Sequence, residues 1–266
     1  MGRLLSNRYW EGQHERGGLR SVGQSGLSEG LNRWLYRTGE RTLTRFTREI
    51  DLNRIYEAGA GTGYWTSYWL ARGAGRVDGC DLVPVAVERL NERFAGRGTF
   101  TVADLAGESP PATGSYPMVT AMNVLLHIRD EDAFDRAAAN LARLVAGGGH
   151  LLIADPVLLA GPPVLADTSR TRPLDRYVDV MREHGLELAR LAPTTVLGAD
   201  PIEARGRWER RVSRGWWRLV KAADRRGMGR VAGLAIYLLD PIALRTGWAP
   251  TGKFLLFRRP KVAAAE

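Results

Sequence analysis

The residues that point most directly to chemistry are three glycines that follow a short apolar stretch and one acidic residue. The stretch Arg54–Ala58 contains Glu57, and Gly59, Gly61 and Gly63 come directly after it at alternate positions. Closely spaced glycines let the backbone turn sharply and approach a bound molecule where a Cβ atom would collide with it. This segment therefore predicts a turn that lies against a cofactor.

The spacing of these glycines separates the turn from two well-known nucleotide-binding loops. Dinucleotide-binding enzymes carry the pattern G-x-G-x-x-G, and here the position three residues after Gly61 is occupied by Tyr64. The segment also lacks the Lys-Ser/Thr ending of a phosphate-binding loop. An NAD-dependent oxidoreductase is therefore disfavoured. A glycine turn alone is weak evidence for the identity of the cofactor, so the polar residues around the turn must indicate it.

Polar residues also follow the next three predicted strands. Asp81 ends a second apolar segment, Asp104 follows a third, and Asn123 and His127 follow a fourth. In an open sheet of parallel strands, ligands bind outside the carboxyl ends of the strands. The pattern therefore predicts that these side chains lie at one edge of a sheet, together with the glycine turn.

The elements that hold these residues alternate between strand and helix after residue 53. Such alternation favours an α/β fold, here a seven-stranded, mainly parallel sheet with helices on both faces. The predicted strands are Arg54–Ala58, Arg76–Cys80, Thr99–Val102, Met118–Asn123, His150–Ala154, Leu186–Leu191 and Gly252–Arg258. Helices are predicted after Gly63, after Pro84, and over Leu174–His184. Another begins at an N-cap, Asp130, and is expected to stop at Gly147–Gly149.

The remaining segments predict additions to this sheet. Residues 1–50 lack strand periodicity but carry apolar residues at helical spacing, which predicts an N-terminal helical cap. The main domain then covers residues 51–260, and residues 200–248 form a helical insertion that a seven-stranded sheet does not need. An amphipathic helix is predicted in this insertion from the spacing of Trp208, Val212, Trp216 and Leu219.

The motifs together resemble the class I (Rossmann-like) S-adenosylmethionine-dependent methyltransferases, of the type that act on small molecules. The resemblance covers Arg54–Pro156, where four motifs occur in the expected order. It implies S-adenosylmethionine as the cofactor and S-adenosylhomocysteine as the product released from it. The cofactor-binding residues that it implies are Glu57, Gly59, Ala60, Gly61, Gly63, Asp81, Leu82, Asp104, Leu105, Asn123 and Val124.

The resemblance also implies how this cofactor lies. The backbone of the glycine turn contacts its methionine and ribose parts, and Asp81 accepts hydrogen bonds from both ribose hydroxyls, which one carboxylate can do at once. Asp104 and Leu105 meet the adenine edge, and the segment that begins at Asn123 lies beneath the sulfonium. Structural interpretations stay open beside these: Asp81 as a helix cap, Asp104 as a turn residue and Gly63 as a packing glycine.

His127 is the first candidate for a general base, because it follows the fourth strand at the cofactor edge and histidine titrates near neutral pH. The alternative is that it shapes the pocket without catalysing. Asp155, after the fifth strand, is the second candidate, and its alternative is a turn carboxylate ahead of Pro156. Three aromatic residues of the N-terminal cap either close over the cofactor or belong to the core: Tyr9, Trp10 and His14.

The acceptor is predicted by class only. The segment Asn123–His127 lacks the Asn/Asp-Pro-Pro-aromatic motif of adenine and cytosine amino-methylating enzymes, and it resembles the corresponding segment of small-molecule enzymes. The N-terminal stretch Tyr9–Tyr36 and the late basic insertion resemble bacterial enzymes of glycan or specialised-metabolite pathways. This resemblance implies methyl transfer to a natural product, a sugar or a glycan intermediate, which we expect at an oxygen atom. A cyclase or a non-catalytic partner of the same fold stays open as an alternative, as does an RNA methyltransferase that uses the basic insertion.

The net charge of +9 is concentrated in one segment of the chain. Arg205–Arg230 contains ten basic and two acidic residues, whereas the rest of the chain contains 28 basic and 27 acidic residues. This segment is interpreted in three functional ways: as a lid whose arginines meet an acidic or phosphorylated acceptor, as a helix in peripheral contact with an anionic membrane, or as an RNA-binding surface. The structural alternative is a solvated helix whose apolar face packs on the sheet, and a lid combined with such packing is favoured. Nucleic acid is the least favoured partner.

The composition predicts a soluble, cytoplasmic protein. Residues 1–30 carry no apolar core of a signal peptide, and the longest apolar run, Val231–Leu239, is too short to cross a bilayer. The single cysteine, Cys80, excludes an internal disulfide, and the four histidines form no metal-binding pair, so no metal site is predicted. The sequence does not indicate the oligomeric state.

Overall fold

The computed structural model describes residues 9–12, 18–19, 23–24, 26–199, 206–246 and 252–261. The chain divides into two compact units. Met1–Glu11, Glu49–Leu191 and Leu255–Glu266 belong to the first, here called the sheet unit, and Gly12–Arg48 and Ala192–Phe254 belong to the second, the helical unit. The predicted N-terminal cap and the predicted insertion thus fall largely within one unit. The domain boundaries at residues 50, 200 and 248 stay a prediction.

The sheet contains nine strands within the described residues. They are β1 Arg54–Ala58, β2 Arg76–Asp81, β3 Phe100–Val102, β4 Tyr116–Met122, β5 Val145–Leu158, β6 Val164–Leu165, β7 Arg170–Pro173, β8 Glu187–Pro193 and β9 Gly252–Arg258. The strand order is β3-β2-β1-β4-β5-β7-β6, and β9 pairs with β5 and β8. Strands β1 to β5 pair in parallel, so their carboxyl ends lie at one edge. The predicted fold class is confirmed.

Seven helices longer than one turn accompany the strands in the described part of the chain. They are α1 Glu29–Phe46, α2 Tyr64–Ala71, α3 Pro84–Arg93, α4 Glu131–Leu144, α5 Leu174–Glu183, α6 Arg207–Ala223 and α7 Gly229–Arg245. As predicted, α4 begins at Asp130, whose side chain accepts a hydrogen bond of 2.9 Å from the Ala133 amide. Its apolar face, with Phe134, Ala138 and Leu141, is fully buried in the core. Burial of each large side chain contributes about 1.5–3 kcal/mol.

The structure differs from the sequence prediction around the fifth strand. Gly147–Gly149, predicted to stop α4, belong to β5, because α4 already ends at Leu144. Asp155 consequently lies inside a strand, and its interpretation as a turn carboxylate is wrong. The short strands Val164–Leu165 and Arg170–Pro173 were not predicted, since one has two residues and the other alternates arginine with threonine and proline.

The helical unit contains α1, α6 and α7 around its own apolar cluster, formed by Leu27, Leu31, Leu35, Trp217, Val220 and Ile236. The amphipathic helix predicted in the insertion is confirmed as α6, but its buried face is not the predicted one. Trp208, Val212 and Leu219 are exposed, whereas Trp217 and Val220 are buried. The predicted stripe is therefore a surface feature of this unit.

Candidate active site

The glycine turn begins directly after β1 and is tied to the neighbouring strand. The amides of Gly59 and Ala60 donate hydrogen bonds of 2.8 and 3.0 Å to the Cys80 carbonyl at the end of β2. Gly59 has a φ of 69°, and a Cβ atom on it would lie 2.5 Å from Cγ2 of Val124, which follows β4. The backbone conformation and the close approach both require glycine here. This contact brings the first and fourth motifs together.

Glycine is required at position 63 for a different structural reason. It is the N-cap of α2 with a φ of 72°, and a Cβ atom there would lie 2.5 Å from Phe94 and 2.8 Å from Leu90. Both neighbours belong to the region of α3, so the packing interpretation of Gly63 accounts for its place in the motif. A direct contact between Gly63 and the cofactor stays a prediction.

Asp81 links the glycine turn to the end of β2. Its buried carboxylate accepts a hydrogen bond of 2.8 Å from the Gly61 amide and one of 3.0 Å from the Val83 amide. Val83 is the N-cap residue of α3, so Asp81 also helps to start that helix, as the capping interpretation proposed. A carboxylate offers about four acceptor positions, and these two bonds use only two of them. Asp81 can therefore hold the turn and accept from two further hydroxyls. Leu82, between Asp81 and Val83, is half-buried.

Glu57 is fully buried beneath the turn. The Thr66 hydroxyl donates a hydrogen bond of 2.7 Å to its Oε2. Burial raises the pKa of Glu57 from its ordinary value of 4.5 to about 8, and the nearby charge of Asp81 acts in the same direction. The side chain therefore holds a proton at neutral pH. Its predicted role in cofactor binding stays a prediction.

Replacing Glu57 by glutamine tests this protonation. The folded protein holds a proton that the unfolded chain has lost above pH 4.5, so the stability contributed by this group is complete below that pH and is lost as pH rises to about 8. Glutamine retains an acceptor for Thr66 and removes the titration. In thermal unfolding, we expect the melting temperature of the variant to rise relative to that of the wild type as the pH increases across this range. A difference that does not change with pH would contradict the raised pKa.

The loop after β3 carries Asp104 and Leu105. Oδ1 of Asp104 accepts a hydrogen bond of 2.8 Å from the Ala106 amide, which is the turn role considered for this residue. Nδ2 of Asn140, in α4, donates to the carbonyls of Leu105 and Gly107, both at 2.9 Å. Asn140 was missed from the sequence, although a buried polar residue among the apolar positions of α4 is a usable signal.

Substitution of Asn140 by leucine should loosen this loop. The two carbonyls lose their donors inside the protein, which costs about 1–3 kcal/mol of unfolding free energy. We expect cofactor affinity to fall by about fivefold or more, measured by calorimetry, because the loop predicted to bind adenine is no longer fixed. The matched control is Asn91→Leu: Asn91 donates to the Phe100 carbonyl and accepts from the Phe100 amide, both at 2.9 Å, at the opposite end of β3. An equal loss of affinity in both variants would refute the specific role of Asn140.

Asn123 follows β4 with an unusual backbone conformation. Its φ of 59° is the one positive value for a non-glycine residue in the described part of the chain. Such a conformation costs energy and is found mainly where the surrounding structure imposes it, often at functional sites. The Asn123 amide donates to the Ala154 carbonyl at 2.6 Å, and its side chain is exposed at the carboxyl edge of the sheet. Asn123 and Val124 thus lie where the prediction placed them, beside the glycine turn.

His127 ends a single 3-10 turn, Leu125–His127, after Asn123. Its Nδ1 lies 2.8 Å from the Thr168 carbonyl oxygen. Since a carbonyl only accepts, Nδ1 carries the proton and Nε2 carries the lone pair of the neutral ring. Burial lowers the pKa of His127 from 6.5, so the neutral form dominates at pH 7. The ring is therefore prepared to accept a proton at Nε2.

Aromatic residues of the N-terminal segment reach this histidine. The ring centroid of Trp10 lies 4.7 Å from that of His127, at an interplanar angle of 82°, and Tyr9 lies 5.1 Å from Trp10. This edge-to-face contact restricts the orientation of the imidazole. Closure of Tyr9 and Trp10 over a cofactor stays a prediction, and His14 lies outside the described residues.

Asp155, the second candidate base, is a buried carboxyl within β5. The Tyr177 hydroxyl donates to its Oδ2 at 2.9 Å, and burial raises the pKa of Asp155 to about 7. Its side chain is only 1% exposed, and so it lies in the core below the segment that carries His127. Catalysis by Asp155 stays a prediction, and its observed contacts are structural.

Arg172 fixes the segment that carries His127. Its guanidinium donates to the carbonyls of Leu125 at 3.3 Å and Ile128 at 2.7 Å, and it pairs with Glu131 at 3.0 Å. It is 1% exposed and lies 3.9 Å from the ring centroid of Phe134. Sequence reasoning missed Arg172, because an arginine in a polar segment carries no signal that it is buried. It acts on the site by positioning the turn.

The geometry defines the class of site. An open, mainly parallel sheet carries a glycine turn after β1, an acidic side chain after β2 that holds this turn, and a strained segment with a neutral histidine after β4. All of these lie at the carboxyl edge, where such sheets bind nucleoside-containing cofactors. In the described part of the chain, no group of three or more His, Cys, Asp or Glu residues is arranged to hold a metal ion.

The chain matches known proteins over this region. Residues 55–149 match a protein family described as a methyltransferase domain. Over 155 residues the chain is 31% identical to a ubiquinone biosynthesis O-methyltransferase of Xanthomonas euvesicatoria pv. vesicatoria, and the match covers 56% of each protein. The chain therefore spans about half the length of this curated relative.

Solved structures show the same fold. Magnesium protoporphyrin IX methyltransferase from Synechocystis PCC 6803, solved with bound S-adenosylmethionine, is similar with a TM-score of 0.58 at 14% identity, over 97% of each chain. The (4+2)-cyclase SpnF is similar with a TM-score of 0.52 at 22% identity, over 84% of this chain and 81% of that one. At these identities the likeness concerns the fold alone.

The family match over residues 55–149 and the fold agree with the predicted class I S-adenosylmethionine-dependent methyltransferase superfamily. The predicted superfamily is thereby confirmed. For the matched domain, residues 55–149, the predictions of a methyltransferase and of S-adenosylmethionine as cofactor are confirmed as well. The activity of the whole chain is a proposal. The acceptor and the residues that carry the reaction belong to the proposal below.

Proposed function

We propose that this protein transfers the methyl group of S-adenosylmethionine to an oxygen atom of a small-molecule acceptor. The observation that carries the proposal is the state of His127, a neutral imidazole with its Nδ1 proton bound to the Thr168 carbonyl. A hydroxyl nucleophile needs a proton acceptor, and Nε2 of such a ring is one. The similarity to an O-methyltransferase supports oxygen as the atom that is methylated.

The residues at the carboxyl edge fit this cofactor. A Cβ atom at Gly59 would collide with Val124, so glycine lets the turn pack directly against the segment after β4. Asp81 has acceptor positions left for a pair of ribose hydroxyls after binding two amides. The loop of Asp104 and Leu105, fixed by Asn140, is the proposed site for adenine. When bound, the cofactor supplies a methyl group on a sulfonium for in-line displacement.

The residues of the chain then orient the acceptor and move one proton. The acceptor oxygen forms a bond to the methyl carbon as the carbon–sulfur bond breaks, and S-adenosylhomocysteine leaves as a neutral thioether. The hydroxyl proton passes to Nε2 of His127. The hydrogen bond from Nδ1 to Thr168 persists in the protonated ring, and so it stabilises the imidazolium that forms. Arg172 holds the turn in place through the carbonyls of Leu125 and Ile128.

We propose a natural product, a sugar or a glycan intermediate as the acceptor, and the cytoplasm as the location. The acidic or phosphorylated acceptor expected from the arginines of residues 205–230 stays a prediction, because the arginines of α6 are exposed. The likeness to a (4+2)-cyclase favours one second candidate, a cyclase that uses the same fold without methyl transfer. The two differ in their products, because a cyclase leaves both the methyl group and the substrate mass unchanged.

The test follows the methyl group. The purified full chain is incubated with methyl-labelled S-adenosylmethionine and a fractionated metabolite extract, and label and S-adenosylhomocysteine are measured together. Label in a small molecule, with the new methyl carbon bonded to oxygen by NMR, supports the proposal. Label on nitrogen or carbon, or label in an RNase-sensitive fraction, overturns it. Conversion of a substrate without label or S-adenosylhomocysteine indicates the cyclase.

A further inference from the structure

The outer surface of α7 is unusual for a helix that faces solvent. The opposite side of the helix is buried within the helical unit at Gly229, Gly233, Ile236 and Asp240. The exposed side is apolar and consists of Val231, Leu234, Leu238, Leu239 and Ile242, each 41–61% exposed, with Met228 just before it. Isolated apolar residues are common on protein surfaces, but a continuous row of this length marks a site of interaction.

The single acidic residue of α7 does not interrupt this row. Between Arg230 and Arg245 the only charged residue is Asp240. Its Oδ1 accepts hydrogen bonds of 2.8 Å from the Thr195 hydroxyl and from the amides of Val196 and Leu197. Asp240 is completely buried, and its carboxyl group binds the loop that these residues form instead of facing solvent. The outer face of α7 therefore carries no charge over about four turns.

The preceding helix, α6, has three distinct faces. Trp217 and Val220 are buried in the helical unit. An apolar row, Trp208, Val212 and Leu219, is exposed, and Trp208 is 75% exposed. A basic row lies beside it, made of the exposed residues Arg207, Arg210, Arg211, Arg214 and Arg218. Adjacent apolar and basic rows are typical of helices that lie in the interface of a membrane.

The break between the two helices and their buried faces argue against a single membrane-spanning helix. Arg207–Arg245 is long and apolar enough, by length and composition alone, to be a membrane span, and 22% of its most apolar window is buried. Gly227, between α6 and α7, has a φ of 81°, which breaks the segment into two helices. Trp217, Val220 and Ile236 are committed to the same apolar cluster. Each helix therefore has one face inside the protein and another available to lipid.

We propose that the outer faces of α6 and α7 bind an anionic lipid bilayer, with the apolar rows among the headgroups and the arginines on lipid phosphates. Charge complementarity selects this partner, because α6 carries six basic residues and the single acidic residue Glu209. A second copy is a poorer partner, since a two-fold contact places the same arginine row against itself. RNA is also a poorer partner, because the exposed apolar residues of α7 are aliphatic, and Trp208 is the one exposed ring among the apolar residues named on the two helices.

The test measures binding of the full chain to vesicles by co-sedimentation. The vesicles consist of phosphatidylcholine alone, or of phosphatidylcholine mixed with phosphatidylglycerol, at low and high salt. We expect binding to the anionic vesicles that weakens with salt. The apolar variant Leu234→Gln/Leu238→Gln/Ile242→Gln and the basic variant Arg211→Gln/Arg214→Gln/Arg218→Gln should each lower the partition coefficient by about tenfold or more. The control is Leu165→Gln, an equally exposed leucine of the sheet unit, which should bind as the wild type does.

Circular dichroism and thermal unfolding establish that each variant is folded; all the substituted side chains are exposed. Absence of binding to anionic vesicles, or unchanged binding by the folded apolar variant, overturns the proposal. A dimer in light scattering that the apolar variant abolishes, without vesicle binding, assigns the surface to a second copy. RNA binding lost in the basic variant, without vesicle binding, assigns it to nucleic acid. None of these readouts requires methyl transfer, so the membrane proposal can be tested even if the proposed methyl transfer is wrong.

Discussion

Replacing Asp81 by asparagine is expected to weaken S-adenosylmethionine binding by about 100-fold or more. The carboxylate accepts from the Gly61 and Val83 amides and, in the proposed complex, from two ribose hydroxyls. Asparagine has a single acceptor oxygen, and its NH2 group faces a donor wherever it points. Hydrogen bonds to charged groups contribute about 1.5–3 kcal/mol each, so losing two of them costs at least two powers of ten in affinity. Calorimetry or equilibrium dialysis measures the effect directly.

A matched control lies in the same strand. Asp78 is a buried carboxylate nearer the start of β2, where it pairs with Arg54 at 3.2 Å and with Arg76 at 2.7 Å. Asp78→Asn removes a similar charge from a similar depth but does not touch the glycine turn. We expect it to lower the melting temperature and to leave cofactor affinity near that of the wild type. Wild-type affinity in Asp81→Asn would show that the ribose is not held by this carboxylate.

The parts of the fold that were predictable follow from local rules. Strands β1 and β9 begin and end as predicted, since each is a compact apolar run bounded by turn residues. Asp130 was identifiable as an N-cap because an acidic first turn and an apolar helical repeat follow it. The cofactor edge was predictable for a related reason. Parallel strands align their carboxyl ends, so polar residues after several strands meet at one edge.

The residues that escaped prediction depend on contacts between distant segments. Arg172 is buried because the turn at Leu125–Ile128 and Glu131 supply partners for its guanidinium, and the chain carries no local sign of that arrangement. Asn140 serves a loop 35 residues earlier in the sequence. Similarly, periodicity showed that α6 is amphipathic, but it did not show which face is buried. Trp217 and Val220 are buried because they pack against apolar residues from other segments of the helical unit.

His127→Ala is expected to lower kcat by about 100-fold or more, with little change in cofactor affinity. The variant loses the group that accepts the proton, and positioned general bases contribute about 10²–10⁴-fold to a rate. Because the base acts as the neutral ring, kcat/KM of the wild type should rise with pH through the pKa of His127, which lies below 6.5. The variant should lack this rise. His184→Ala, at the end of α5, is the control and should keep both the rate and the pH profile.

Added imidazole separates catalysis from a purely structural role of this side chain. Small-molecule imidazole can enter the space left by the ring, and we expect it to restore part of kcat in His127→Ala, in proportion to its neutral fraction. A ring that only shapes the pocket against Trp10 would be replaced equally well by a ring without basic nitrogen. His127→Phe with wild-type turnover would therefore exclude the base and leave positioning as the source of rate, as for an acceptor that is already ionised. The comparison of the alanine and phenylalanine variants thus reports the charge state of the acceptor as well as the role of His127.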